Sequence, residues 1–112
     1  MKKLAIIDDE QMLAEVLKEL IERMGGFEVE IFTKADDFFI RNESYSFDIV
    51  FSDLNMPGMN GIQCFKKLSL MERKPEKMVI MTGESDFAKE EYKLDYCLIK
   101  PFTRESIRSC LF

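Results

Sequence analysis

Four apolar runs in this chain are followed by side chains able to do chemistry. Asp8 and Asp9 follow Leu4–Ile7, Asp53 follows Ile49–Phe51 after one serine, Thr82 follows Met78–Met81, and Lys100 follows Leu98–Ile99. Three carboxylates, a hydroxyl and an ammonium suit a cation and a phosphoryl group. Carboxylates about 4 Å apart repel by on the order of 4 kcal/mol per pair at an effective dielectric of about 20. Such a cluster must bind protons, hold a cation or accept a positive neighbour, and Lys100 cannot cancel three charges. A hard divalent cation with oxygen ligands meets the remainder, and Mg²⁺ suits a site with few protein ligands and several waters. A carboxylate can also attack a phosphoryl group to form an aspartyl phosphate, with a cation, a hydroxyl and an ammonium stabilising the charge. Asp53 is the best nucleophile. It sits centrally, and the turn-rich stretch "DLNMPGMNG" from Asp53 to Gly61 can leave its carboxylate exposed while Pro57-Gly58 and Gly61 bend the chain away.

The elements that must position these groups alternate. Leu4–Ile7 is a short continuous apolar run, as in a buried strand. Between Glu10 and Met24, Met12, Leu13, Val16, Leu17, Leu20, Ile21 and Met24 keep helical spacing, and Gly25-Gly26 ends the pattern. Phe27–Phe32 alternates, with Glu28 and Glu30 on the wet side, which predicts an edge strand. A short helix over 34–41 carries Ala35, Phe38 and Phe39, and Ile49–Phe51 is the third strand. Ile62, Phe65, Leu68 and Met71 mark the next helix, Met78–Met81 a fourth strand, and a fifth starts near Tyr96. A short helix is expected over 86–93, and Thr103 reads as the N-cap of a last helix carrying Ile107, Cys110 and Leu111. This alternation predicts an α/β fold: a doubly wound, five-stranded parallel sheet with helices on both faces. In the order 2-1-3-4-5 the four strands with chemical exits are neighbours, so the five side chains converge on one rim, where such folds bind ligands.

Composition excludes several classes. The 112 residues predict one domain, 1–112, with a single core. The start "MKKLAII" has too short an apolar run for a signal peptide or a membrane span, so a cytoplasmic location without membrane insertion is expected. There is no histidine, and Cys64, Cys97 and Cys110 lack metal-ligand spacing, which disfavours zinc. The net charge of −5 argues against direct nucleic-acid binding.

"IIDDE", "DLNMPGMNG", "MTGE" and "LIKPF", in this order, resemble the receiver domain of bacterial response regulators, from about Lys3 to the last helix. The resemblance implies a two-component receiver of the flavodoxin-like fold. Asp53 would be the phosphoacceptor, fed by a histidine kinase or phosphotransfer protein, and the modified domain would change its affinity for a downstream protein target. Such a domain catalyses only its own phosphorylation and dephosphorylation. Asp9 would ligate Mg²⁺ directly and Asp8 through water, alongside Asp53 and the backbone carbonyl of Asn55. Thr82 would be the switch hydroxyl, Lys100 the paired lysine, and Pro101 a cis proline aiming it. Asn55 and Glu84 occupy positions that tune phosphoryl lifetime in the family. The chain departs from the pattern in two places: Cys97 stands where the switch aromatic is usual, with Tyr96 one place off, and Thr82 and Lys100 lie about one helical turn closer in sequence.

Blander readings compete. Asp8, Asp9 and Glu10 could cap the first helix, and Asp53 with Asn55 and Pro57 could be an ordinary turn. They leave four such exits on neighbouring strands unexplained. A phosphate-independent adaptor with the same fold is the main functional alternative. A phosphatase would need an aspartate two residues after Asp8, where Glu10 stands, and Asp-Asp-Glu would repel the phosphate of a flavodoxin-type ligand.

Overall fold

A computed structural model describes residues 1–83 and 96–112. The expected helix over 86–93 and Glu84 lie outside the described residues. The elements run β1 (Lys2–Ile7), α1 (Gln11–Arg23), β2 (Phe27–Phe32), α2 (Ala35–Asn42), β3 (Ile49–Asp53), α3 (Gly61–Ser69), β4 (Lys77–Thr82), β5 (Tyr96–Ile99) and α4 (Arg104–Leu111). Every strand pair is parallel and the order is β2-β1-β3-β4-β5, as the alternation predicts.

The twofold period of each strand sorts its side chains into two cores. Leu4, Ile6, Ile49, Phe51, Val79, Met81 and Leu98 face α1 and α4, where Ala14, Leu17, Ile21, Ile107 and Cys110 meet them. Ala5, Ile7, Val50 and Ile80 face α2 and α3, which contribute Phe38, Phe39, Cys64, Phe65 and Leu68. Central strands buried on both faces need unbroken apolar runs, and that is how β1 and β4 read. β2 is the edge, with Phe27 and Val29 buried and Glu28 exposed.

The apolar stripe of α1 is wider than its buried face. Ala14, Leu17 and Ile21 are buried, but Met12 is 83% exposed and Val16 52% exposed. Met12 lies about 140° around the helix from Leu17, so both cannot face the sheet. α1 starts after Glu10, which makes no side-chain capping bond. α3 and α4 begin on capping boxes, Asn60 with Gln63 and Thr103 with Ser106, the latter at the expected N-cap.

Under α2, Phe38 is fully buried among Phe32, Phe39 and Phe47, with ring centroids 5.1–5.6 Å away. Phe38→Ala removes the centre of this aromatic group and is expected to cost about 3–5 kcal/mol. Urea unfolding, read as a lower midpoint with an unchanged slope, checks this.

Candidate functional site: an acidic rim facing one lysine

The rim begins where β1 runs out. The Asp8 N–H still donates to the Phe32 carbonyl of β2 (3.0 Å), while Asp8 Oδ1 accepts from the Glu10 N–H (3.0 Å). This turn carries the chain from the sheet into α1 and leaves the Asp8 carboxylate buried at the strand end. Asp8 is therefore a sheet-end group and not the cap of α1.

Asp53 is the last residue of β3, opposite Met81 of β4, and only 6% exposed. The loop behind it is pinned at both ends. Leu54 N–H donates to Met81 O (2.8 Å), and Gly61 N–H donates back to Leu54 O (3.1 Å). Gly58 has φ +81°, the left-handed conformation glycine permits. Gly61 is needed for space: a Cβ there would lie 2.6 Å from the Asp53 carbonyl oxygen and 2.7 Å from Ile80 Cδ1. The start of α3 thus rests directly on the backbone of Asp53.

Lys100 enters from β5. Its N–H donates to the Thr82 carbonyl (2.7 Å), the Lys100–Pro101 peptide is cis, and Nζ reaches Asp53 Oδ1 at 3.2 Å and Asp8 Oδ2 at 3.6 Å. One carboxylate oxygen from each of Asp8, Asp9 and Asp53 lies within 4.8 Å of the others; Asp8 and Asp53 are buried and Asp9 is exposed. The structure thus brings Asp8, Asp9, Asp53 and Lys100 into one group. Thr82 is buried at the end of β4, and Asn55 is exposed two residues past Asp53. Beside Asp9, a cleft of about 310 Å³ is lined by Thr33, Lys34, Ala35, Met56 and Pro57.

The electrostatics follow from burial and crowding. Burial raises the Asp8 carboxyl, against the opposing pull of the Glu10 N–H and Lys100. Burial also raises Asp53, with Asp9 and Glu10 adding to the shift and Lys100 opposing it. For Lys100 burial alone lowers the pKa, but Asp8 and Asp53 outweigh it and leave the ammonium raised. Lys100 alone does not balance three carboxylates. The donor set fits Mg²⁺: three hard oxygen ligands close enough to share one ion, with an exposed member open to water.

The sequence pattern named the four side chains that the structure groups, Asp8, Asp9, Asp53 and Lys100, but not two backbone supports, the Gly61 close approach and buried Ser52. For Ser52 a signal was available, since a hydroxyl interrupts an otherwise apolar central strand immediately before Asp53.

A doubly wound α/β sheet with an acidic, cation-fitting rim beside one lysine defines the class. The model of the response regulator receiver domain matches residues 4–112. The transcriptional regulatory protein FixJ of Bradyrhizobium diazoefficiens is 33% identical over 111 residues, 95% of this chain and 53% of that protein. The chain thus spans about half the length of that relative. A CheY-like receiver domain from Methylobacillus flagellatus superposes with a TM-score of 0.87 at 31% identity, covering 99% of this chain and 96% of that one. The receiver domain of a sensor histidine kinase from Pseudomonas aeruginosa, solved with a magnesium ion in its active-site cleft, has a TM-score of 0.85 at 16% identity, covering 98% and 93%. The chain belongs to the response regulator receiver domains.

Raised carboxyls make the folded protein hold protons more tightly than the unfolded chain. Their contribution to stability therefore falls as pH rises through and above the usual carboxylate range. Lys100, also raised, has the same sign but a different window: its contribution is present throughout that range and is lost only in strong alkali. Asp53→Asn in metal-free protein is accordingly expected to raise the thermal midpoint by a few degrees at about pH 7. The gain should shrink as pH approaches about 4, where the carboxyls take up protons. Thermal melts of both proteins across this range check it.

Proposed function

We propose that residues 1–112 act as one receiver that takes a phosphoryl group onto Asp53 and thereby changes its affinity for a protein target. The observation carrying this reading is the 3.2 Å pairing of Lys100 with Asp53 inside the three-carboxylate group. The donor would be a phosphohistidine on a histidine kinase or phosphotransfer protein. An Asp53 carboxylate oxygen attacks phosphorus in line, the P–N bond breaks, and the departing imidazole keeps the electron pair and takes a proton. Asp8, Asp9, Asp53 and the Asn55 carbonyl would hold Mg²⁺, which supplies charge stabilisation for the phosphoryl oxygens. Lys100 pairs with the new anion, and the Thr82 hydroxyl donates to one of its oxygens. Hydrolysis of the acyl phosphate by water returns the carboxylate, so the domain processes only its own phosphoryl group.

The output follows from differential contacts. A dianionic phosphoryl group on Asp53 gives Lys100 and Thr82 a partner that the free carboxylate does not offer. The equilibrium between two surfaces shifts by that difference. The family relation supports a place in two-component signalling, and we place the domain in the cytoplasm, where such kinases present phosphohistidine. Among the described residues no helix is long and apolar enough to cross a membrane.

Incubation with a small-molecule phosphodonor, followed by intact-mass measurement, tests this reading. The expected result is a gain of one phosphoryl group that requires Mg²⁺ and is absent in Asp53→Asn. No gain in folded, Mg²⁺-binding protein would favour the phosphate-independent adaptor. Asp9→Asn removes the exposed member of the cluster and is expected to weaken Mg²⁺ about tenfold or more. Calorimetric titration of Mg²⁺ into both proteins measures that loss.

A further inference from the structure

Ser52 is fully buried in a central strand, with Ile7 of β1 on one side and Ile80 of β4 on the other. The alternation of β3 turns it toward the α2–α3 core, the side of Val50 and Leu54, away from Phe51. A hydroxyl in such a place costs stability unless it is hydrogen-bonded. Ser52 Oγ–H donates to the Asp53 carbonyl at 3.2 Å. Cys64 of α3 is buried in the same core, where burial pushes its thiol up to about 11 and the Ser52 hydroxyl opposes the rise.

The carbonyl receiving the Ser52 bond is the one against which Gly61 is packed. The β1–β3 register ends at Ile7 opposite Ser52, so Asp53 extends one residue beyond the β1 ladder. From there β4 alone flanks the strand, at Met81. We propose that Ser52 is a positioning residue for Asp53: its hydroxyl fixes the peptide that carries the carboxylate and so sets the geometry in which Asp53 meets a metal and a phosphoryl group. Ser52 touches neither. It acts through the Asp53 backbone, on the layer opposite Lys100's approach. The inference rests on Asp53 being the reactive carboxylate, but its effect on backbone order does not.

Ser52→Ala keeps the volume small and deletes the donor. In metal-free protein the Leu54 and Gly61 amides are expected to exchange about tenfold faster, the scale of one unmade buried hydrogen bond. Mg²⁺ affinity and phosphoryl uptake should each fall about tenfold, and Ser52→Thr should restore all three. Ile80→Val, which loosens the same packing without removing a hydrogen bond, should change the melting midpoint and leave Mg²⁺ affinity unaltered. Unchanged exchange and Mg²⁺ affinity in Ser52→Ala would overturn the proposal, as would an equal Mg²⁺ loss in Ile80→Val. Should Ser52→Ala fail to fold, the near-isosteric pair Ser52→Thr and Ser52→Val isolates the hydroxyl, and equal Mg²⁺ affinity in that pair overturns the proposal. If wild type takes no phosphoryl group, the functional reading fails, while exchange and Mg²⁺ titration still decide the role of Ser52.

Discussion

The mutual repulsion of Asp8, Asp9 and Asp53 is the constraint on which the rest of the structure depends. Their oxygens come within 4.8 Å of one another, with one ammonium in direct reach of two of them. Left to itself such a group would spread into solvent. It is held because each buried carboxylate sits at the end of a strand whose neighbours cannot move: Asp8 is tied to Phe32 across the β1–β2 edge, and Asp53 is followed at once by the Leu54–Met81 bond. The raised carboxyls of Asp8 and Asp53 record the cost of burying them first and of their acidic neighbours second. An uncompensated site of this kind is poised for a cation, which relieves the same repulsion that destabilises the metal-free protein.

The hydrophobic layering makes that strain tolerable. Both faces of β1, β3 and β4 are buried, so strand ends are fixed by apolar packing several residues before the chemistry starts. The helices then set loop directions. Gly61 lets α3 start against the Asp53 carbonyl, and the Asn60–Gln63 capping box satisfies amides in its first turn. A methyl group at Gly61 would push α3 off the strand or displace Asp53, so the turn-rich segment is a packing device as much as a connection.

The fold and the chemical side chains were legible in the sequence because both depend on local pattern. Apolar runs in β1 and β4, alternation in β2 and a polar residue at four strand exits are enough to give the sheet and its rim. What stayed hidden depends on three-dimensional distance. The apolar spacing of α1 includes Met12 and Val16, yet both are exposed, because a helix lying on a sheet buries only one face. Gly61 reads as a turn residue until α3 is seen on Asp53. Ser52 reads as a strand exit until its hydroxyl is found on the next carbonyl. The reach of Lys100 to Asp8 as well as Asp53 could not be read from sequence, since it depends on how far the two strand ends lie apart.

The lysine also constrains how a signal can leave the site. Its backbone is bonded to the Thr82 carbonyl at 2.7 Å, so the ends of β4 and β5 are fastened together where Lys100 reaches Asp53. On the proposed reading, a new anion on Asp53 would draw the Lys100 ammonium and the Thr82 hydroxyl inward by side-chain movement, while the strands stay in register. Anything that senses the change must then be coupled to those two residues through the packing around β4 and β5. Cys97 lies in that region, paired with Ile80 across the ladder, where the family's usual aromatic would offer a much larger moving surface. A small thiol transmits less displacement than a ring. A readout through this part of the molecule must therefore use neighbouring groups, and Ile99, opposite Thr82 and 38% exposed, is the described apolar side chain best placed for it.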